Sequence, residues 1–379
     1  MIEVREIPLS SKKGKKKFFK FLIDLYKGNP HAAPNLYDDE FSEFDPSIND
    51  AFRFAECRMF LAYRGKKVVG RIAGIWHKGV NEKYSTKQLR FTRFDTVDDF
   101  EVTKALFDKL FSWAKEIGMT EIIGPMSFSD LNEEGMLIDG FDEDSCYIEL
   151  YNYPYYVEHM EKLGAYKVVD WNCYRVYVPE EMDPRLSRLC EVIKKRNGYT
   201  LLDIKGLLKK DKKKLDSYLM QCMDVMDEAF AKLYGTSPLN EKQKARMLGT
   251  VKMALVPEFA AAVLKDDKVV AYGFIMPSML KVLQKAKGNV FPGGILPYIK
   301  AMKKSEVADM MSVGVLPSES NRGAVALVIE SVLRGCIARG VKVLETGPEL
   351  EENANVQNLW KNYKHELVKR HRCWGLKVE

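Results

Sequence analysis

The chain is poor in the groups that usually announce a cofactor or a staple. Its seven cysteines (Cys57, Cys146, Cys173, Cys190, Cys222, Cys336 and Cys373) are scattered, odd in number and include no CxxC pair. That excludes a disulfide frame and a thiolate zinc site, and it predicts free thiols in a reducing, cytoplasmic compartment. The five histidines stand apart, so no metal is expected. Long apolar runs are missing too. The most apolar window, Met253 to Leu264, is interrupted by Pro257 and Glu258, so neither a bilayer span nor a membrane partner is expected. Charged residues begin at Glu3, which does not suit a signal peptide. A net charge of +6 is small for 379 residues. It does not call for nucleic acid and would serve an anionic small ligand equally well. The basic runs Lys12–Lys17 and Lys209–Lys214 read as solvated helix faces.

What is present is the composition of a folded protein, 46% apolar, in a chain too long for one typical core. Residues 2–7 read as a strand, and residues 28–50, with Pro30, Pro34 and Pro46, as a long irregular segment. Two β-rich runs flank Arg64-Gly65-Lys66, a hairpin signature. A strand over 89–97, a helix over 103–117 closed by Gly118, and a buried strand over 121–123 follow. The second half repeats this plan. Ala260–Ile275 aligns with Phe60–Ile75 as a second hairpin, with one residue of slip, and Gly340–Pro348 answers Gly118–Pro125 as helix stop, buried strand and Gly-Pro turn. The repetition predicts two similar α/β units, 1–180 and 181–379, joined near Val178–Pro184. Gly288–Pro297 reads as a Gly/Pro loop.

The stretch Met310–Gly340 reads as strand, polar loop and amphipathic helix. A helix N-terminus with Gly323 and Arg322 before it suits an anion. Taken alone, the stretch is more simply an ordinary capped turn in which Gly323 serves packing. The strand Val313-Gly314-Val315, the five-residue loop, Gly323 and the long helix resemble the acetyl-CoA segment of the GNAT acyltransferase superfamily, whose loop reads Arg/Gln-x-x-Gly-x-Gly/Ala. Here those positions are Ser320, Gly323 and Val325, so the central glycine alone matches. Phe60–Arg71, Gly124–Phe141, Tyr151–Tyr156, Gly164-Ala165, Asn289–Gly293 and Glu352–Trp360 extend the resemblance over nearly the whole chain, to a bacterial family of tandem GNAT-like N-acetyltransferases.

The resemblance implies an α/β (α+β) fold of two tandem GNAT-like domains, each a mixed twisted sheet flanked by helices. It implies acetyl-CoA, or another acyl-CoA, bound by Val313, Gly314, Val315, Ser320, Asn321, Arg322, Gly323 and Ala324. The first half is not expected to bind it, because Asp98, Asp99 and Glu101 crowd its equivalent helix start without a glycine. The implied reaction is transfer of an acyl group to a small-molecule or peptide amine. Glu345, then Glu352, would accept the proton; the family's tyrosine position holds Trp360, and Tyr363, nearly one turn further on, would serve in its place. A strand-end charge and a packed aromatic are the plainer readings of Glu345 and Tyr363. Asn132, Glu133, Asp139, Tyr151, Asn152, Tyr155 and Tyr156 would form an acceptor pocket facing the second half, with Asn353 beyond it. The same residues also fit a turn and a packed interface. Two other functions fit the fold. One is a Fem-like transferase using aminoacyl-tRNA, and the other is a non-catalytic protein that kept the scaffold.

Overall fold

The computed structural model describes every residue except 130 and 237, the first of which falls inside the stretch Gly124–Phe141. The strands are β1 (Ile2–Ile7), β2 (Ala55–Arg64), β3 (Lys67–His77), β4 (Gln88–Thr96), β5 (Glu121–Gly124), β6 (Met136–Asp139), β7 (Tyr166–Tyr177), β8 (Thr200–Leu201), β9 (Ala260–Lys265), β10 (Lys268–Pro277), β11 (Val307–Val315), β12 (Val343–Thr346), β13 (Glu349–Leu350) and β14 (His365–Lys377). Both expected hairpins form. Lys67 and Lys268 each open the return strand, which is the one-residue slip.

Two separate sheets were expected. A single sheet forms instead, in the order β1-β2-β3-β4-β5-β14-β7-β12-β11-β10-β9-β8. The last strand of the chain lies between β5 and β7, and β7 lies between β14 and β12. From either end the plan is therefore the same: five strands, then a strand lent by the other half. The period-2 alternation that marks β7 and β14 as strands fixes which face is buried but does not name the neighbour. Exchange leaves neither half with a bare central edge.

The exchange also joins the cores. One apolar cluster surrounds the helix Phe100–Glu116 and includes Trp374 and Leu376 of β14. The other surrounds the helix Ala324–Arg339 and includes Val176 of β7. The second helix begins after Gly323, at φ +82°, and stops at Gly340, at φ +72°, as a left-handed cap requires. Within it, a Cβ on Gly335 would run into the carbonyl of Glu258, so a glycine is needed for that close approach. Some local expectations change. The 28–50 segment contains a helix over Tyr37–Glu43, and the expected Gly/Pro loop winds into a helix over Ile295–Lys303. No helix among the described residues is long and apolar enough to cross a membrane.

Candidate active site

β11 and β12 pair in parallel from Val307–Val343 to Met310–Thr346. There β12 ends, while β11 continues to Val315 against β10. The second side of that continuation faces a gap, to which its backbone N–H and C=O groups are presented. At the closed end of the gap Asp309 is the register partner of Glu345. Register partners project from the same face, so the two carboxyls are neighbours. Asp309 Oδ2 and Glu345 Oε2 are both buried without a hydrogen-bond partner among the described residues. Burial pushes Asp309 up to about 7. It raises Glu345 too, against the pull of Lys369 and Arg175.

The surrounding charges are fixed. Arg175 on β7 places Nε 2.7 Å from Glu345 Oε1 and Nη2 2.6 Å from Glu143 Oε2. Lys369 on β14 lies 2.7 Å from Glu149 and donates to the Asp144 carbonyl at 2.6 Å. Burial alone would raise Glu149, but the Lys369 ammonium beside it brings the carboxyl below its ordinary range. The backbone of Tyr147 donates to Asp309, and Ile148 packs against Gly347. Residues 143–149, from the first half, thus form one wall of a gap that opens in the second. Glu149, Cys173 and His371, far apart in sequence, bring potential ligand atoms within 4.8 Å of one another. The Lys369 ammonium already occupies the carboxylate of that trio and opposes a second cation there.

Ser320, Asn321 and Arg322 are exposed on a 3-10 turn over Pro317–Arg322. Val313, Gly314 and Val315 lie on the length of β11 beyond its pairing with β12, and Ala324 is buried at the helix start. Gly323 itself is covered. A Cβ there would lie 2.8 Å from Ile193, on the helix Pro184–Asn197, and Asn197 donates to the Arg322 carbonyl at 3.1 Å. Glu319 is buried beneath the loop, hydrogen-bonded by Tyr199, 2.9 Å from Lys265 and 3.6 Å from the exposed Arg322. The exposed turn and the open β11 edge fit an acyl-CoA. The cradle at Gly323 does not contribute, because Ile193 fills it.

In the first half the corresponding gap is plugged. β4 and β5 separate after Arg90–Ile123. The Tyr156 hydroxyl accepts the Thr96 N–H at 3.0 Å, and Tyr155 donates to the Thr96 carbonyl at 2.7 Å. Tyr26 donates to Tyr156 at 3.0 Å, and a buried Arg71–Asp95 pair at 2.6 Å closes the side. The remaining cavity is about 30 Å³, room for about two waters.

The other expected residues are dispersed. Asn132 accepts the Ser129 N–H and shapes a turn, and Asp139 accepts the Gly140 N–H. Glu133 joins Glu40 and Glu43 around Arg93, at 3.2, 2.8 and 2.7 Å. Burial among these acids pushes Glu43 up to about 7. Asn152 clamps Leu137 on both its N–H and its carbonyl, and Tyr151 donates to the Phe141 carbonyl. Asn353 stands at the start of a one-turn helix, and Glu352 is exposed. Tyr363 packs into the core that also holds Leu344. Because Glu345 follows Leu344 in the strand, it points to the opposite face. Sequence reasoning passed over Asp309, Glu143, Glu149, Arg175 and Lys369. A usable signal existed at Asp309, the one acid in the apolar strand Val307–Val315. The others become neighbours only when β7 and β14 are exchanged.

No family model matches the chain. It is 25% identical to Protein YghO of Escherichia coli over 373 residues, spanning 96% of this chain and 93% of that one. It is 23% identical to a bacterial ceramide synthase of Caulobacter vibrioides over 326 residues, spanning 84% and 82%. Its structure is similar to a tandem GNAT protein from the clavulanic acid biosynthesis pathway, with TM-score 0.57, 12% identity and 100% and 99% coverage. It also resembles a GCN5-related N-acetyltransferase of Sphaerobacter thermophilus, with TM-score 0.51, 11% identity and 100% and 96% coverage. The open gap between two parallel strands, its strand-to-helix turn and these likenesses together give the chain the GNAT fold.

Proposed function

We propose that the protein is an N-acyltransferase that moves an acyl group from acyl-CoA to an amine in the β11–β12 gap. The observation that carries this reading is the pair Asp309 and Glu345, two buried carboxyls with a free oxygen each at the closed end of an open strand edge. Acyl-CoA supplies an acyl group activated as a thioester. The backbone N–H groups of Val313 and Val315, which alternate away from β10, would donate to an oxygen that gains negative charge in the gap. A carboxylate with a pKa near 7 takes a proton from an ammonium at neutral pH more effectively than an ordinary aspartate. Lys369 keeps Glu149 ionised and Arg175 holds one oxygen of Glu345, which leaves Asp309 as the first group to take the proton. The exposed turn Ser320–Arg322 would take the cofactor's phosphates, with Arg322 as counter-charge. The units 1–180 and 181–379 then divide the work. The second offers the cofactor edge, and the first supplies the wall at 143–149.

The acceptor class we favour is a long-chain amine. The relative named as a ceramide synthase supports this, since a ceramide is an N-acylated amino lipid. So does the apolar cluster beside the gap, where Met276, Met279, Met302 and Met311 meet Phe274 and Tyr147. Methionine is well suited to lining a site for flexible chains.

The experiment is calorimetric titration of acetyl-CoA and a long-chain acyl-CoA into wild type and Arg322→Glu, followed by thiol release with short and long-chain amines. Micromolar binding weakened by the substitution, and turnover with an amine, support the reading. No binding at millimolar cofactor overturns it in favour of the non-catalytic alternative, for which Ile193 seated against Gly323 is the favouring observation.

A further inference from the structure

Between Asp267 and Glu306 the chain carries no acid. Within that span Lys281, Lys285, Lys287, Lys300, Lys303 and Lys304 are all exposed. No salt bridge to any of the six is found among the described residues. The same span carries a cluster of strongly exposed apolar side chains. Leu296 is 76% exposed, Phe291 75% and Ile299 57%, with Met253 of the neighbouring helix at 70%. The helix Ile295–Lys303 has no buried residue at all. On it Leu296, Lys300 and Lys303 fall along one line, so the lysines flank the apolar tip. Long lysine stems can rest against hydrocarbon while their ammonium groups reach outward.

We infer that this face, residues 281–304 with Met253, docks on an anionic lipid bilayer. Apolar tips surrounded by unpaired cations are the pattern of an interfacial element that inserts shallowly and is held by acidic headgroups. A second copy of the same face would meet like charge, six lysines against six. The location gives docking a consequence. Tyr298, Ala301 and Met302 pack in one apolar cluster with Met311 of β11 and with Ala33, Leu36 and Tyr147. The bilayer would thus lie beside the β11 gap, and a lipid amine or a long acyl chain would have an apolar path between the two. The docking itself does not depend on the acyl-transfer reading.

The test is co-sedimentation of the full chain with vesicles of phosphatidylcholine alone and of phosphatidylcholine with phosphatidylglycerol. It reads binding, not turnover, so it separates failure of this inference from failure of the enzymatic one. Wild type is expected to sediment with the anionic vesicles and to be released by salt. Leu296→Asp/Ile299→Asp and, separately, Lys300→Glu/Lys303→Glu/Lys304→Glu should each reduce partitioning by about tenfold or more. Thermal melts should be unchanged, since all five side chains are exposed. Absence of binding to anionic vesicles, or binding that neither variant weakens, overturns the inference. A dimer by light scattering that Leu296→Asp/Ile299→Asp dissolves also overturns it, because the face then belongs to a second copy.

Discussion

Asp309 is held in a state that costs stability at neutral pH. Its folded pKa, about 7, lies above its ordinary value near 3.8. Between those values the folded chain holds a proton that the unfolded chain has released, so this group favours folding as pH falls through that window and opposes it above about 7. Asp309→Asn should therefore melt no lower than wild type at pH 8, and above it if the orphaned oxygen was the main cost. If acyl transfer is confirmed, the same variant should lower kcat by about 10²–10⁴-fold with the cofactor Kd unchanged. The wild-type rate should rise with pH through about 7. A variant with full activity would remove Asp309 from the reaction and leave Glu345→Gln as the substitution to examine. Lys369 gives the opposite case. Lys369→Met leaves Glu149 buried beside no cation and should cost about 3–5 kcal/mol by denaturant titration. Adding Glu149→Gln should recover most of that loss, and failure to do so would make Lys369 a packing residue instead.

At the scale of elements, the turn before the Ala324–Arg339 helix shows how a motif can be preserved while its use changes. The resemblance at Gly323 pointed to a phosphate, but the space beside it holds Ile193. Gly323→Ala should destabilise through both the clash and the left-handed backbone, about 1–2 kcal/mol for the latter. Ile193→Ala should relieve only the first of these, which a double-mutant cycle of thermal melts would read. The hairpins and the two amphipathic helices were legible in the sequence because hydrophobic period and glycine stops act locally. The helix Ile295–Lys303 was not. Gly293, Gly294 and Pro297 read as loop residues, whereas Pro297 sits within the first turn of that helix, where a missing N–H costs nothing.

At the scale of the whole molecule, the exchanged strands make the two halves interdependent. Removing residues 365–379 would take the middle strand from the sheet and Trp374 and Leu376 from the first-half core. The truncated chain should be insoluble although the cut lies in the second half. Fragments 1–180 and 181–379 should fail to fold alone and form a soluble complex when co-expressed. A stable isolated 1–180 would show that β14 is dispensable to the first core.

The sequence by itself determined the repeated plan and the strand-loop-helix unit at Met310–Gly340, because each is written in patterns a few residues apart. It also singled out Glu345. Tertiary structure alone decided that Glu345 meets Asp309, that Arg175 and Lys369 converge from two different halves, and that residues 143–149 wall the second-half gap. Strand partners hundreds of residues apart are chosen by which edges remain to be satisfied and which cores remain to be filled. That choice is a property of the assembled sheet and leaves no period in the chain to read.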